Sequence, residues 1–161
     1  MTPKERFEII RDIYKEENTR SEELARKAQV FISIHSLYFT AIFFKLSDIK
    51  SILSQNKLHW IDISLFWILV LSILISLLFA IKSISIKEYN VMDSDEFAEE
   101  LTSPEFDDSE FANRHINSIK EINTHNWKLN NSKSRDLSFS TFFLLLGFII
   151  SIIFIAISIH F

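Results

Sequence analysis

Apolar residues in this chain gather into three runs, and charged residues fill the stretches between them. The clearest run is Ile61 to Ile81, twenty-one residues whose single charge, Asp62, stands almost at the start. A helix of that length rises about 30 Å, the thickness of a bilayer's hydrocarbon core, and it has no polar face of the kind a soluble core helix keeps. Phe139 to Phe161 is a second such run, twenty-three residues with no Asp, Glu, Lys or Arg. Ala28 to Phe44 is a third, seventeen residues interrupted by Gln29, Ser33, His35, Ser36 and Thr40. It is short for a span, but Lys27 and Lys45 bracket it, and long lysine side chains snorkel to the two interfaces. The competing reading of this run is an interfacial amphipathic helix.

Between the runs the pattern stays helical. Phe7, Ile10, Ile13 and Tyr14 recur at three- and four-residue steps, which predicts a charged helix with a narrow apolar stripe from Lys4 to about Glu17. Thr19 with Glu22 spells a capping box, predicting a break near Asn18 and a new helix after it. Asp93 with Glu96 and Ser103 before Pro104 are further helix starts, followed by a turn near Ser103 and a long helix from Pro104 or Asp108 toward the last run. That helix carries Asn113, Asn117, Asn123, Asn126 and Asn130, and asparagine is a poor helix former, so tertiary or subunit contacts must hold it. No alternating strand pattern is found.

The predicted fold is therefore an all-α integral membrane protein with three transmembrane helices, an N-terminal amphipathic helix and a helical cytosolic insert between the second and third spans. The expected divisions are 1–27, cytosolic; 28–84, the first two spans with a short outer connection; 85–137, an acidic cytosolic helical region; and 138–161, the third span. Composition agrees, with sixteen Phe against one Gly and two Pro, which leaves few turns. The N-terminus is charged throughout and shows no signal-peptide apolar region, so the spans themselves are expected to direct insertion. Lys and Arg number seven before the first run, three between the first and second, and seven around 82–137. The positive-inside rule then places the N-terminus and 85–137 in the cytosol and the C-terminus outside.

Candidate chemistry is sparse. Zero cysteines exclude thiolate metal sites and cysteine nucleophiles. His115 and His125, ten residues apart, are separated by about 15 Å along a helix and cannot share a metal. From Asp93 to Glu110 there are nine acids and no base, without the glycine-bearing loop calcium requires. No phosphate loop, nucleophile elbow or basic nucleic-acid patch is present, so no enzyme, cofactor, metal or direct nucleic-acid binding is expected. The acids Asp93, Asp95, Glu96, Glu99, Glu100, Asp107 and Asp108 are candidates for docking a cytosolic partner.

Each run also carries a stripe of small or polar residues. These are Gln29, Ser33, Ser36 and Thr40 in the first, Ser72, Ser76 and Ser83 in the second, and Ser140, Gly147, Ser151 and Ser158 in the third. Such stripes let helix backbones approach closely, and the alternative is that some line a polar pore, which needs several copies of a three-span chain. His35 lies about a third of a turn off the first stripe. An ionisable residue at that depth is a functional candidate, and with no carboxylate expected at the same depth it reads as a hydrogen-bonded neutral histidine.

Two segments, 15–44 and 125–157, pair a polar or charged helix with immediate entry into an apolar run, through Lys27-Ala28 in one and the basic residues before Leu137 in the other. In this the chain resembles small bacterial multi-span membrane effectors of antiphage systems such as CBASS, Pycsar, retrons and CRISPR accessory modules, although it lacks a separate nucleotide-binding domain. The resemblance implies a homo-oligomer in the bacterial inner membrane that perturbs or depolarises the bilayer when a cytosolic protein or signal molecule triggers it. The alternative function is a non-conducting anchor or regulator that docks a cytosolic partner through residues 84–136.

Overall fold

A computed structural model describes residues 2–45, 47, 49, 51, 59–85 and 107–160. The described residues contain no strand and form three helices, α1 from Pro3–Phe44, α2 from His59–Ile84 and α3 from Asp108–His160. All three are long and apolar enough to cross a membrane.

The helix starts follow capping chemistry. At the head of α1 the Thr2 hydroxyl accepts from the Glu5 N–H at 3.2 Å and the Glu5 carboxylate accepts from the Thr2 N–H at 2.8 Å. That is a reciprocal capping box with Pro3 at the first helical position, where a missing N–H costs nothing. At the head of α3 the Asp107 carboxylate accepts from the N–H groups of Ser109 at 2.7 Å and Glu110 at 2.9 Å. The bonds from Glu110 and Ser109 hold its carboxyl below the ordinary carboxylate range. Of the two predicted starts for this helix, the structure takes the later one; the other starts predicted between Asp93 and Pro104 lie outside the described residues.

One expectation is corrected. No break occurs near Asn18, and the predicted N-terminal amphipathic segment is the first part of a single 42-residue helix. The Thr19 hydroxyl donates back to the Lys15 carbonyl at 3.0 Å instead of capping a new helix. Threonine satisfies its hydroxyl this way inside a helix, and no Gly or Pro between 4 and 44 forces an end.

The chain forms two compact units. The first takes Met1–Leu24 and Ile86–Ser132, the second Ala25–Ser85 and Lys133–Phe161. In the described part of the first, α1 and α3 run parallel. Asn123 donates to the Ile10 carbonyl at 3.0 Å, and one heptad later Asn130 donates to the Glu17 carbonyl at 2.9 Å and its carboxylate at 2.7 Å. Arg20 donates to the Asn131 side chain at 2.7 Å, and the Phe7 and Phe111 rings meet edge to face. The poor intrinsic helicity of Asn123 and Asn130 is thus offset by bonds to the neighbouring backbone.

In the second unit α2 runs antiparallel to α3. Leu69, Ile73 and Ile150 form its apolar centre, with Tyr38, Phe39, Ile42, Leu65 and Leu146 packed around them. Gly147 sits against α2, where an added Cβ would stand 3.3 Å from Ile73 and 3.7 Å from Leu69 and Ser72. The absence of a side chain lets the two helices close up there.

Candidate functional site

The second unit buries polar side chains beside its apolar centre and exposes large apolar ones. His35, Ser72, Ser76, Ser83, Asp136 and Ser140 are buried, and Leu37, Phe43, Phe44, Trp67, Leu71, Leu78, Leu145 and Ile152 are exposed. Burying such groups is unfavourable unless each finds a partner, so the bonds they make decide the arrangement.

Along the α2–α3 seam three serines of α2 donate to backbone carbonyls of α3. Ser72 donates to Phe143 at 2.7 Å, Ser76 to Ser140 at 2.7 Å and Ser83 to Lys133 at 3.2 Å. Residue numbers fall on α3 as they rise on α2, as antiparallel packing requires. Each of these carbonyls keeps a second lone pair beyond its helical bond, and serine is short enough to reach it without separating the helices.

α1 enters this seam through His35, which is fully buried. Its Nδ1 is hydrogen-bonded to the Phe31 carbonyl one turn back, and its Nε2 lies 2.7 Å from the Ser76 hydroxyl. The Ser140 hydroxyl is 3.2 Å from the same Ser76 oxygen. One serine on α2 therefore joins all three helices. One turn further along α1, the Tyr38 hydroxyl is hydrogen-bonded to Ser151, which also donates to the Gly147 carbonyl at 2.9 Å.

Four residues before Ser140 on α3, Asp136 is buried and its Oδ1 accepts from Lys82 at 3.0 Å. The lysine stays half exposed and also lies over the Phe79 ring. Oδ2 of Asp136 is buried without a hydrogen-bond partner among the described residues. At the other end of α2, Asp62 is fully buried as well.

The stripes read from the sequence thus go to different places. Ser72, Ser76, Ser83, Ser140, Gly147 and Ser151 come together between the helices of the second unit. Gln29, Ser33, Ser36 and Thr40 do not join them. They are exposed, and the three hydroxyls donate to carbonyls one turn back in α1, at 3.0, 3.0 and 2.8 Å. Ser158 is placed in α3 by its backbone. Of the docking candidates, Asp107 caps α3 and Asp108 begins it, whereas Asp93, Asp95, Glu96, Glu99 and Glu100 lie outside the described residues.

Tyr38, Lys82 and Asp136 were missed by sequence reasoning. Asp136 stands just ahead of the apolar run and so counted as aqueous, yet it is four residues before Ser140, on the face of the third stripe. No group of three or more metal-ligating side chains converges among the described residues.

Compared with known proteins, the chain matches no protein-family model, no curated protein and no solved structure.

Proposed function

We propose that this chain is a three-span protein of the bacterial inner membrane that assembles with copies of itself and permeabilises the bilayer when triggered from the cytosol. The observation that carries the membrane reading is the inverted distribution in the second unit. Large apolar side chains cover its outside while serines, a histidine and two carboxylates, Asp62 and Asp136, are buried beside its apolar centre. Lipid reverses the ordinary preference, because tails solvate Leu and Phe, and polar groups must find partners inside the protein.

The reading of an oligomer that leaks rests on the first stripe. Gln29, Ser33, Ser36 and Thr40 are exposed within the α1 segment proposed to span, among neighbours such as Val30 and Leu37 that suit lipid. The Ser33, Ser36 and Thr40 hydroxyls are satisfied within the helix yet keep acceptor capacity, and among the described residues the exposed Gln29 amide bonds to no other helix. A second copy of the chain, or water in a path between several copies, suits this face better than acyl chains. Among the described residues one copy encloses no such path, since Leu69, Ile73 and Ile150 fill the centre of the second unit. On this reading Lys and Arg asymmetry keeps the N-terminus and 85–137 in the cytosol, where the acids Asp93, Asp95, Glu96, Glu99, Glu100, Asp107 and Asp108 meet the trigger.

Dye release from vesicles reconstituted with the full chain tests this, comparing it with a triple variant, Ser33→Leu, Ser36→Leu and Thr40→Leu. These positions are exposed, so folding is expected to survive. Leak from the natural chain that is lost in the variant supports the proposal. Equal leak from both, or a strictly monomeric chain in lipid, contradicts it.

A further inference from the structure

The hydrogen bonds around Ser76 give the second unit a feature beyond the proposed leak and independent of it. The Phe31 carbonyl is only an acceptor, so Nδ1 of His35 must carry a proton. Ser76 has one hydroxyl proton and two close neighbours that could take it, Nε2 of His35 at 2.7 Å and the Ser140 carbonyl at 2.7 Å. If the imidazole is neutral, Nε2 is an acceptor and takes that proton. Two oxygens, Ser76 Oγ and the Ser140 carbonyl, then face each other at 2.7 Å with nothing between them. If the imidazole is doubly protonated, Nε2–H donates to Ser76, Ser76 donates to Ser140, and every close contact carries a proton.

We propose that His35 is a proton-binding site, and that binding a second ring proton turns the Ser76 hydroxyl from His35 to the Ser140 carbonyl. The bond from Ser76 to the Ser140 carbonyl, the shorter of the two α2–α3 contacts at this level, is then made or broken by the charge on α1. No atom is consumed in the exchange. One proton enters at Nε2 and the serine rotates about its Cβ–Oγ bond.

The charged groups on the helices packed against His35 suit a cation there. On α3, Asp136 is one turn from Ser140, about 6 Å along the axis, and is the buried carboxylate whose Oδ2 has no hydrogen-bond partner among the described residues. Lys82 on α2 is about 9 Å along its helix from Ser76 and is half exposed, so it neutralises Asp136 through one oxygen only. Arg135 is exposed, Lys133 is partly exposed, and Asp62 lies about 21 Å along α2 from Ser76. On α1 the nearest titratable side chain is Tyr38, already bonded to Ser151. The nearest charge of either sign that is fully enclosed is thus negative.

The test uses the full chain in lipid nanodiscs with ¹⁵N-labelled histidine and ¹³C-labelled serine carbonyls, read by NMR at about pH 5 and about pH 8, the range over which imidazoles change charge. His35 is assigned by loss of its signals in His35→Asn. At the higher pH a neutral ring protonated on Nδ1 is expected. At the lower pH both nitrogens are expected to carry protons, together with a downfield shift of the Ser140 carbonyl as the serine proton arrives. In Ser76→Ala that carbonyl shift is expected to be lost. A neutral ring protonated on Nε2, one unchanged neutral tautomer at both pH values, or ring protonation that leaves the Ser140 carbonyl unmoved would each overturn the proposal. The readings on the natural chain decide it even if Ser76→Ala fails to fold.

Discussion

Single residues in the second unit differ in what their loss leaves behind. Asp136 and Lys82 form one ion pair, yet Asp136 is enclosed and Lys82 is half exposed. Lys82→Met strands a buried carboxylate without its cation, whereas Asp136→Asn leaves a lysine that reaches water. Thermal unfolding in detergent is expected to show Lys82→Met as the more damaging by about 1–3 kcal/mol, and equal losses would argue against the burial of Asp136. At Gly147 steric room decides. Ala brings its Cβ to 3.3 Å from Ile73, which a small shift absorbs, whereas Leu must displace Ile73 and Leu69. Gly147→Leu is expected to destabilise by about 1–3 kcal/mol or more in the same assay, and Gly147→Ala by clearly less. That Gly147 and Ser151 share a face with Ser140 was legible from helical periodicity. Which helix that face meets was not, because periodicity places residues around one axis and says nothing about the neighbour. Likewise the histidine within the first apolar run was visible at position 35, but its bond to Ser76 joins residues forty-one positions apart.

At the scale of elements, the three helices long and apolar enough to cross a membrane were readable from run length. Helix ends were read less well. Thr19 and Glu22 fit the capping pattern, yet the same hydroxyl reached the carbonyl of Lys15 and the helix continued. The capping box actually used, Thr2 with Glu5 around Pro3, had the same signature plus proline at the first position. α3 begins just after its cap, Asp107, for a reason that titration can check. The carboxyl is held below its ordinary range by the folded helix end, so its stabilisation is present above the ordinary carboxylate range and is lost as pH falls through the lowered value. Amide exchange at Ser109 and Glu110 is expected to accelerate on that acidification, and Asp107→Ala is expected to show the fast rate at neutral pH already. Further along α3, Asn130 gives both amide protons to Glu17. Asn130→Ala is expected to cost about 1–3 kcal/mol, and Asn130→Gln little less if the fork geometry matters. The need of this Asn-bearing helix for outside support was legible from propensity, and the identity of that support, the α1 backbone, was not.

For the molecule as a whole, the account turns on which solvent surrounds the second unit. Its surface carries Leu37, Leu71, Leu145 and Ile152 outward and keeps Ser76, His35 and Asp136 inward, an arrangement that water would oppose and lipid favours. A chain with no cysteine of its own makes this directly measurable, since single cysteines can be introduced on a silent background. The decisive measurement is labelling by a membrane-impermeant maleimide in right-side-out and inside-out vesicles, for Ile9→Cys, Leu71→Cys, Leu145→Cys and Phe161→Cys. The account predicts that Ile9→Cys reacts only from the cytosolic side, Phe161→Cys only from the opposite side, and the two leucine sites from neither until detergent is added. Labelling of Leu71→Cys and Leu145→Cys in intact vesicles, or of both termini from one side, would contradict it.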